Sequence, residues 1–272
     1  MKDSFCLYLD ILGFSKQIRE AHRNGTQQDL FNKIYSIVKL ASEEISAVGV
    51  EDKTTLRMWE YKFFTDNLVL GLPHDTNLHT ESEYGALLFS LLRYQLALAS
   101  KGFFVRGALT IGCLHVGDNI VFGDSLLDAY ELENTKAITP RIILSDTMLK
   151  LIRKHAESFY AEPIDSPQNS HIFVDSDGQA FINYLGAAIS DDNGYDEADW
   201  ELIKQHKYQV ENSLKEHGLD PSVWAKYNWV ANYHNFFCDE ARHLNGYNEN
   251  LKISSPNHRN RPARLFTNLK QK

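Results

Sequence analysis

Two aspartates stand out as residues that could do chemistry. Asp10 lies in Leu7-Tyr8-Leu9-Asp10-Ile11-Leu12-Gly13-Phe14-Ser15-Lys16, an apolar run that reads as a strand buried on both faces and followed at once by a turn. A carboxylate in such a strand is costly unless it is hydrogen-bonded, paired or bound to a metal ion. The best partner in the chain is Asp66, in Phe63-Phe64-Thr65-Asp66-Asn67 on a second apolar stretch. Two carboxylates brought together could hold hard divalent cations, which take oxygen ligands. A structural hydrogen-bond acceptor or a turn residue is the competing reading of Asp10, and the residues alone leave both open.

The elements that must position these groups follow from periodicity. After Asp10 a short polar helix is expected over 17–23, ending at the Asn24-Gly25 turn signal. A second helix, about 27–46, places Leu30, Ile34, Ile37, Val38 and Ala41 at helical spacing. Strand formers from Leu56 to Phe64, the turn Thr65-Asp66-Asn67 and a returning strand over 68–72 make a hairpin with Asp66 at its tip. A long helix over 81–100 stops at Lys101-Gly102. A glycine-interrupted strand follows over 103–112, with 113–121 as its hairpin partner. Gly123 leads into a helix, and Pro140 opens a strand over 141–145. The order is βααββαββαβ, an α+β arrangement with one sheet covered by helices. Beyond it come a helix over 147–155, strands near 171–174 and 179–184, and two helical stretches over 198–217 and 221–244. The tail from Ser254 to Lys272 is basic, polar and expected to be loosely ordered. The division expected is a core domain over 1–190 and a helical C-terminal extension over 191–272 packed on it. The acidic run Asp191 to Glu197 is a turn and boundary; it lacks the alternating ligands and terminal glutamate of an EF-hand.

Composition excludes several classes. A formal net charge of -8 argues against a general nucleic-acid or anionic-membrane binder, which gathers phosphates with a basic surface. It leaves room for a small phosphate ligand, which needs only local cations and a metal. No apolar run approaches the roughly 20 residues of a membrane helix, and the N-terminus enters a strand without a signal-peptide layout, so a cytoplasmic protein is expected. Cys6, Cys113 and Cys238 are odd in number and widely separated, so they are expected to be reduced core residues.

Taken together, Leu9-Asp10-Ile11-Leu12-Gly13-Phe14, the hairpin with Asp66 at its tip, Val105-Arg106-Gly107-Ala108-Leu109-Thr110-Ile111-Gly112 and Val121-Phe122-Gly123-Asp124-Ser125-Leu126-Leu127-Asp128-Ala129-Tyr130-Glu131-Leu132-Glu133 resemble the class III nucleotidyl cyclases. Their blocks are DIxGF, a hairpin GD, RxGxxxG and WGxxxNxAxxL, and the resemblance spans roughly residues 7–145. It implies a ferredoxin-like βααββαβ core sheet covered by helices, and two divalent cations, Mn2+ or Mg2+, held by Asp10, Asp66 and the carbonyl of Ile11. It further implies phosphates beside the backbone of the Leu12-Gly13-Phe14 turn, a triphosphate contact from Arg106, and base selection near Tyr61 and Lys62.

Two departures accompany the resemblance. Leu127 and Glu131 stand where adenylate and guanylate cyclases carry an asparagine and the transition-state arginine, and Ile120 occupies the second base-selecting position. With the AYELE and PRI runs, these features resemble the compact cyclases of the Pycsar antiphage systems. That likeness implies UTP, or else CTP, as the nucleoside triphosphate substrate, a homodimer with interfacial sites, and a separate effector protein that senses the cyclic pyrimidine nucleotide; from the charge and the apolar runs, no nucleic acid and no membrane partner is expected. An adenylate or guanylate cyclase, or a catalytically silent nucleotide-binding dimer, are the alternatives.

Overall fold

The computed structural model describes residues 2–47, 60–74, 80–117, 119–190, 197–254 and 261–266. The expected runs 48–59 and 191–196, and most of the tail, lie outside them. β1 (Lys2–Ile11) lies inside the sheet, and its side chains are apolar on both faces because both are packed against a core. It pairs antiparallel with β3 (Asn67–Pro73) and with β4 (Val105–Val116). β2 (Glu60–Phe64) closes the hairpin onto β3. On the other side β4 pairs parallel with β6 (Ile142–Leu144), which is followed by β8 (Ala180–Ile182) and β7 (Ile172–Val174). The order across the sheet is therefore β7-β8-β6-β4-β1-β3-β2.

Helices α1 (Phe14–Asn24), α2 (Gln27–Ala47) and α3 (Thr80–Ser100) intervene as the periodicity demands, and α4 (Asp124–Lys136) follows Gly123. The order through β6 is the βααββαββαβ of the sequence, and the class is α+β. α5 (Asp146–Phe159) and the short α6 (Gln168–His171) complete the first 190 residues. A separate ribbon of β9 (Ile189–Ser190) and β10 (Glu197–Ala198) leads to α7 (Trp200–Glu216) and α8 (Pro221–Glu240).

Period-2 alternation sorts β1 between two cores. Phe5, Leu7, Leu9 and Ile11 enter one buried cluster with Leu87, Leu88 and Leu91 of α3. Cys6 and Tyr8 enter the other, which also holds Ala129 of α4, Ile203 and Val210 of α7, and Tyr227, Val230 and Tyr233 of α8. Asp10 is next in register on this second face.

Two expectations are corrected. β4 does not end at Gly112: it runs to Val116, and its hairpin partner β5 (Val121–Phe122) is only two residues long. Gly112 is a point of close approach and not a break, since a Cβ there would lie 3.2 Å from that of Ser125 in α4. The tail is not wholly loose: β11 (Ala263–Arg264) pairs antiparallel with β7, extending the sheet, and Leu265 beside it is buried.

Candidate active site

Register assembles the site. Asp10 of β1 lies opposite Asn67 of β3 on one side and Arg106 of β4 on the other. Asp66 precedes Asn67 in the hairpin turn, and its carbonyl accepts from the Ile11 N–H at 3.0 Å, tying the hairpin tip to the end of β1. Thr65 takes a left-handed backbone conformation there, at φ 54, a strained geometry for a β-branched residue. The Asp66 carboxylate accepts from the Thr65 hydroxyl at 2.8 Å and the Asn67 amide at 3.0 Å, both through Oδ1. Tyr8, below Asp10 on the same face, donates its hydroxyl to Asn67.

Arg106 directs its Nε–H to Oδ2 of Asp10 at 2.8 Å. The same nitrogen lies 2.7 Å from Oε1 of Glu133, a buried α4 residue, but the N–H points at Asp10, so this oxygen gains the charge without a hydrogen bond. Only Nε is used: the terminal guanidinium nitrogens have no partner among the described residues. Oδ1 of Asp10 is likewise without a hydrogen bond there.

The electrostatics follow from burial. Burial pushes the Glu133 carboxyl up to about 7, against the pull of Arg106 and with added repulsion from Asp10. Burial also raises Asp10, opposed by the Arg106 hydrogen bond and reinforced by Asp66. Tyr8 is pushed up to about 12, first by burial and then by Glu133 and Asp10. The cluster thus lies where water solvates its carboxylates poorly, and a bound cation would favour their ionised forms.

The turn after β1 is built as the sequence suggests. Gly13 adopts a left-handed conformation, φ 75, and caps α1 without a side chain, so the helix presents its first-turn N–H groups and positive dipole end at the close of the strand that carries Asp10. Leu12 is fixed by its N–H to the Phe104 carbonyl at 2.9 Å. Ile11 and Phe14 are buried in the core, so what they can offer a ligand is main chain.

The structure brings Asp10, Ile11, Gly13, Asp66 and Arg106 to one end of the sheet. It splits Tyr61 from Lys62. Lys62 pairs with Val69, which belongs to the core on the Asp10 side, whereas Tyr61 pairs with Leu70 of the opposite core and projects from the other face. Glu133 was missed in sequence because charges in Ala129-Tyr130-Glu131-Leu132-Glu133 look solvated. The signal was its spacing: Ser125, Ala129 and Glu133, four apart, form the buried stripe of α4.

As for a metal, no three His, Cys, Asp or Glu side chains converge on one point among the described residues. The donor set is two carboxylates with open oxygens plus main chain, all hard oxygen ligands that suit Mg2+ or Mn2+. The Asp10 and Glu133 carboxyls are raised first by burial, and a bound cation would favour their ionised forms. The residues present fit such ions.

No protein-family model matches the chain, and no curated protein matches it. Among solved structures, the adenylyl cyclase CyaB from P. aeruginosa is similar over 66% of this chain and 93% of its own, at 15% identity and a TM-score of 0.43. An adenylate/guanylate cyclase/hydrolase from Silicibacter pomeroyi covers 66% of this chain and 94% of its own, at 18% identity and a TM-score of 0.38. A class III adenylyl cyclase-like ATP-binding protein from Pseudomonas aeruginosa covers 55% and 34%, at 13% identity and a TM-score of 0.36.

Proposed function

We propose that this chain is a nucleotide cyclase that converts a nucleoside triphosphate, UTP in preference to CTP, into the 3′,5′-cyclic monophosphate and pyrophosphate. The observation that carries the reading is the convergence of Asp10, Asp66 and the uncapped N-terminus of α1 at one end of the sheet, with Arg106 across the strand from Asp10. In the reaction the O3′–Pα bond forms as the bond from Pα to the pyrophosphate oxygen breaks, and the hydroxyl proton is released.

Asp10 and Asp66 would hold two divalent cations, with the Ile11 carbonyl. When bound, such ions stabilise the attacking and leaving oxygens. The protein's own groups do the rest. The Gly13-Phe14 backbone donates to phosphate oxygens, as uncapped helix starts do. Arg106, anchored through Nε by Asp10, keeps its outer nitrogens for the triphosphate. Lys62 is the base-side residue on the correct face. Ile120, exposed and apolar, supports a base read without a second polar contact.

The homodimer is supported by Ile120, Phe122 and Leu127, large apolar side chains exposed together on the β5–α4 segment. Among the described residues no helix is long and apolar enough to cross a membrane, which suits a cytoplasmic second-messenger synthase acting in antiphage defence through a separate effector. Incubating the purified protein with each of the four NTPs and Mn2+ tests the reading. Cyclic UMP as the main product is expected; ATP or GTP as the sole cyclised substrate would overturn the pyrimidine assignment. Glu131 and Leu127, both exposed on α4, favour one other reading, a silent nucleotide-binding dimer. Triphosphate-dependent stabilisation with no cyclisation of any NTP would establish it.

A further inference from the structure

A cavity of about 880 Å3 opens beside the phosphate turn, between α1, the α3–β4 link and the two C-terminal helices. Leu12, Gly13 and Lys16 form one wall, Lys101 lies on the link, and Lys226 and Tyr227 of α8 face them. The α8 wall is regular: from the N-cap Asp220, Val223, Lys226 and Tyr227 recur at helical spacing, so one face of the helix looks into the cavity. That face is held firmly against the site. The Asp220 side chain caps α8 by accepting from the N–H groups of Ser222 at 3.1 Å and Val223 at 3.2 Å. Tyr227 is buried, stacks on His217 at 5.3 Å between ring centroids and meets Phe104 edge-on at 5.4 Å. Phe104 is the residue whose carbonyl fixes Leu12.

Lys226 differs from the other cations here. Lys16 is 3.6 Å from Glu216 and 3.8 Å from Glu20, Lys33 sits over the Phe103 ring at 4.7 Å, and Lys101, which also has no ion pair among the described residues, is exposed. Lys226 is half-buried and makes no ion pair among the described residues, yet its ammonium lies within electrostatic reach of Asp10, Glu133 and Arg106. Burial and Arg106 lower its pKa, as expected of a cation short of a direct anionic partner. The α4 face that carries Leu127 and Glu131, meanwhile, has no cation; the helix's one basic residue, Lys136, is in its last turn.

We propose that Lys226 is a triphosphate-binding residue: α8 delivers to the phosphate end of the site the positive charge that the Leu127–Glu131 face of α4 does not supply, and the ammonium neutralises the phosphate oxygens that gain charge as pyrophosphate leaves. The C-terminal helices are then part of the site. The inference rests on the cyclase reading, and the test separates the two.

Wild type, Lys226→Ala, Lys226→Gln and Lys226→Arg are compared for cyclisation of the preferred NTP with Mn2+, and for thermal stabilisation by inorganic triphosphate with Mn2+. If wild type cyclises an NTP, the Ala and Gln variants are expected to lose about 10- to 100-fold in kcat/KM, as for loss of one charged hydrogen bond. The Arg variant should recover part of that. Variants within twofold of wild type would overturn the role of Lys226 and leave the cyclase reading standing. If wild type cyclises nothing, the cyclase reading falls and the triphosphate-induced shift decides. A shift in wild type that Lys226→Ala and Lys226→Gln lose supports the assignment; equal shifts, or none in wild type, overturn it. The unliganded melting temperatures show that each variant is folded, and Lys226→Gln, nearly equal in length, stands in if the alanine variant is not.

Discussion

Two arginines on neighbouring strands are held by carboxylates in opposite ways. Arg141, just before β6, is buried and uses both terminal nitrogens, one on Asp175 and one on Asp177. Its guanidinium also lies 5.5 Å over Trp229, whose indole N–H donates to Asp175 at 2.7 Å. Arg106, one strand away, uses Nε alone and faces carboxyls that burial has pushed up. The first cluster has spent its strongest donors on its own chain and fixes the β6–β8–α8 packing. The second has donors and acceptors to spare, which is what a ligand site requires. The arginine alone does not identify a site; how many of its hydrogen bonds are already committed does.

The contrast can be broken most decisively at the carboxylates. On the cyclase reading, Asp10→Asn or Asp66→Asn should lower cyclic nucleotide formation by more than about 100-fold, since each removes a proposed metal ligand. The fold should survive, because Asp10 is ionised at a cost where it lies; turnover at the wild-type rate in either variant would refute the metal assignment. Next come the arginines. Arg141→Ala should cost about 3–5 kcal/mol by stranding buried carboxylate charge, on the order of 10 °C in melting temperature. Arg106→Ala should instead lower kcat/KM about 10- to 100-fold with a much smaller thermal effect. A larger thermal loss for Arg106→Ala than for Arg141→Ala would reverse the comparison.

A pH effect is expected from Glu133. Its folded pKa of about 7 is above the ordinary 4.5, so the folded state keeps a proton that the unfolded chain has already released. Stability from this group is therefore full below about 4.5 and falls as pH rises towards 7. In Glu133→Gln that decline should vanish, as melting temperatures taken across the window would show; an unchanged slope would assign it elsewhere. The smallest effects belong to the base side. Lys62→Ala should raise KM a few-fold, whereas Tyr61→Phe, on the far face, should leave KM within about twofold, both read from initial rates.

Much of this was legible in the sequence. The element order through β6 was, because the apolar periods switch cleanly between 2 and 3.6 and glycines mark the ends. That Asp10 needs a partner was legible too, since a charge in an all-apolar strand demands one, but the partner it takes is Arg106 and not the Asp66 that the sequence suggested. What was illegible depends on faces and distance. Tyr61 and Lys62 are adjacent, and only the β2–β3 register tells which one shares the Asp10 face. Lys226 gives no local sign: it is one of several polar residues in an aromatic-rich helix, and only tertiary packing brings that helix to the Leu12-Gly13 turn. The overlong β4 was missed because Gly112 reads as a breaker when it serves helix packing.

The register of β1 with β4 joins residues 96 apart in sequence, and Glu133 and α8 come later still. During synthesis at about 5–20 residues per second, Asp10 leaves the ribosome roughly 10–40 s before Lys226 follows it. Through that interval β1 and the Asp66 hairpin can pair, but the α8 wall beside the phosphate turn is still missing. Until then a partly made copy would carry the acidic half of the site without the cation we assign to its phosphate end.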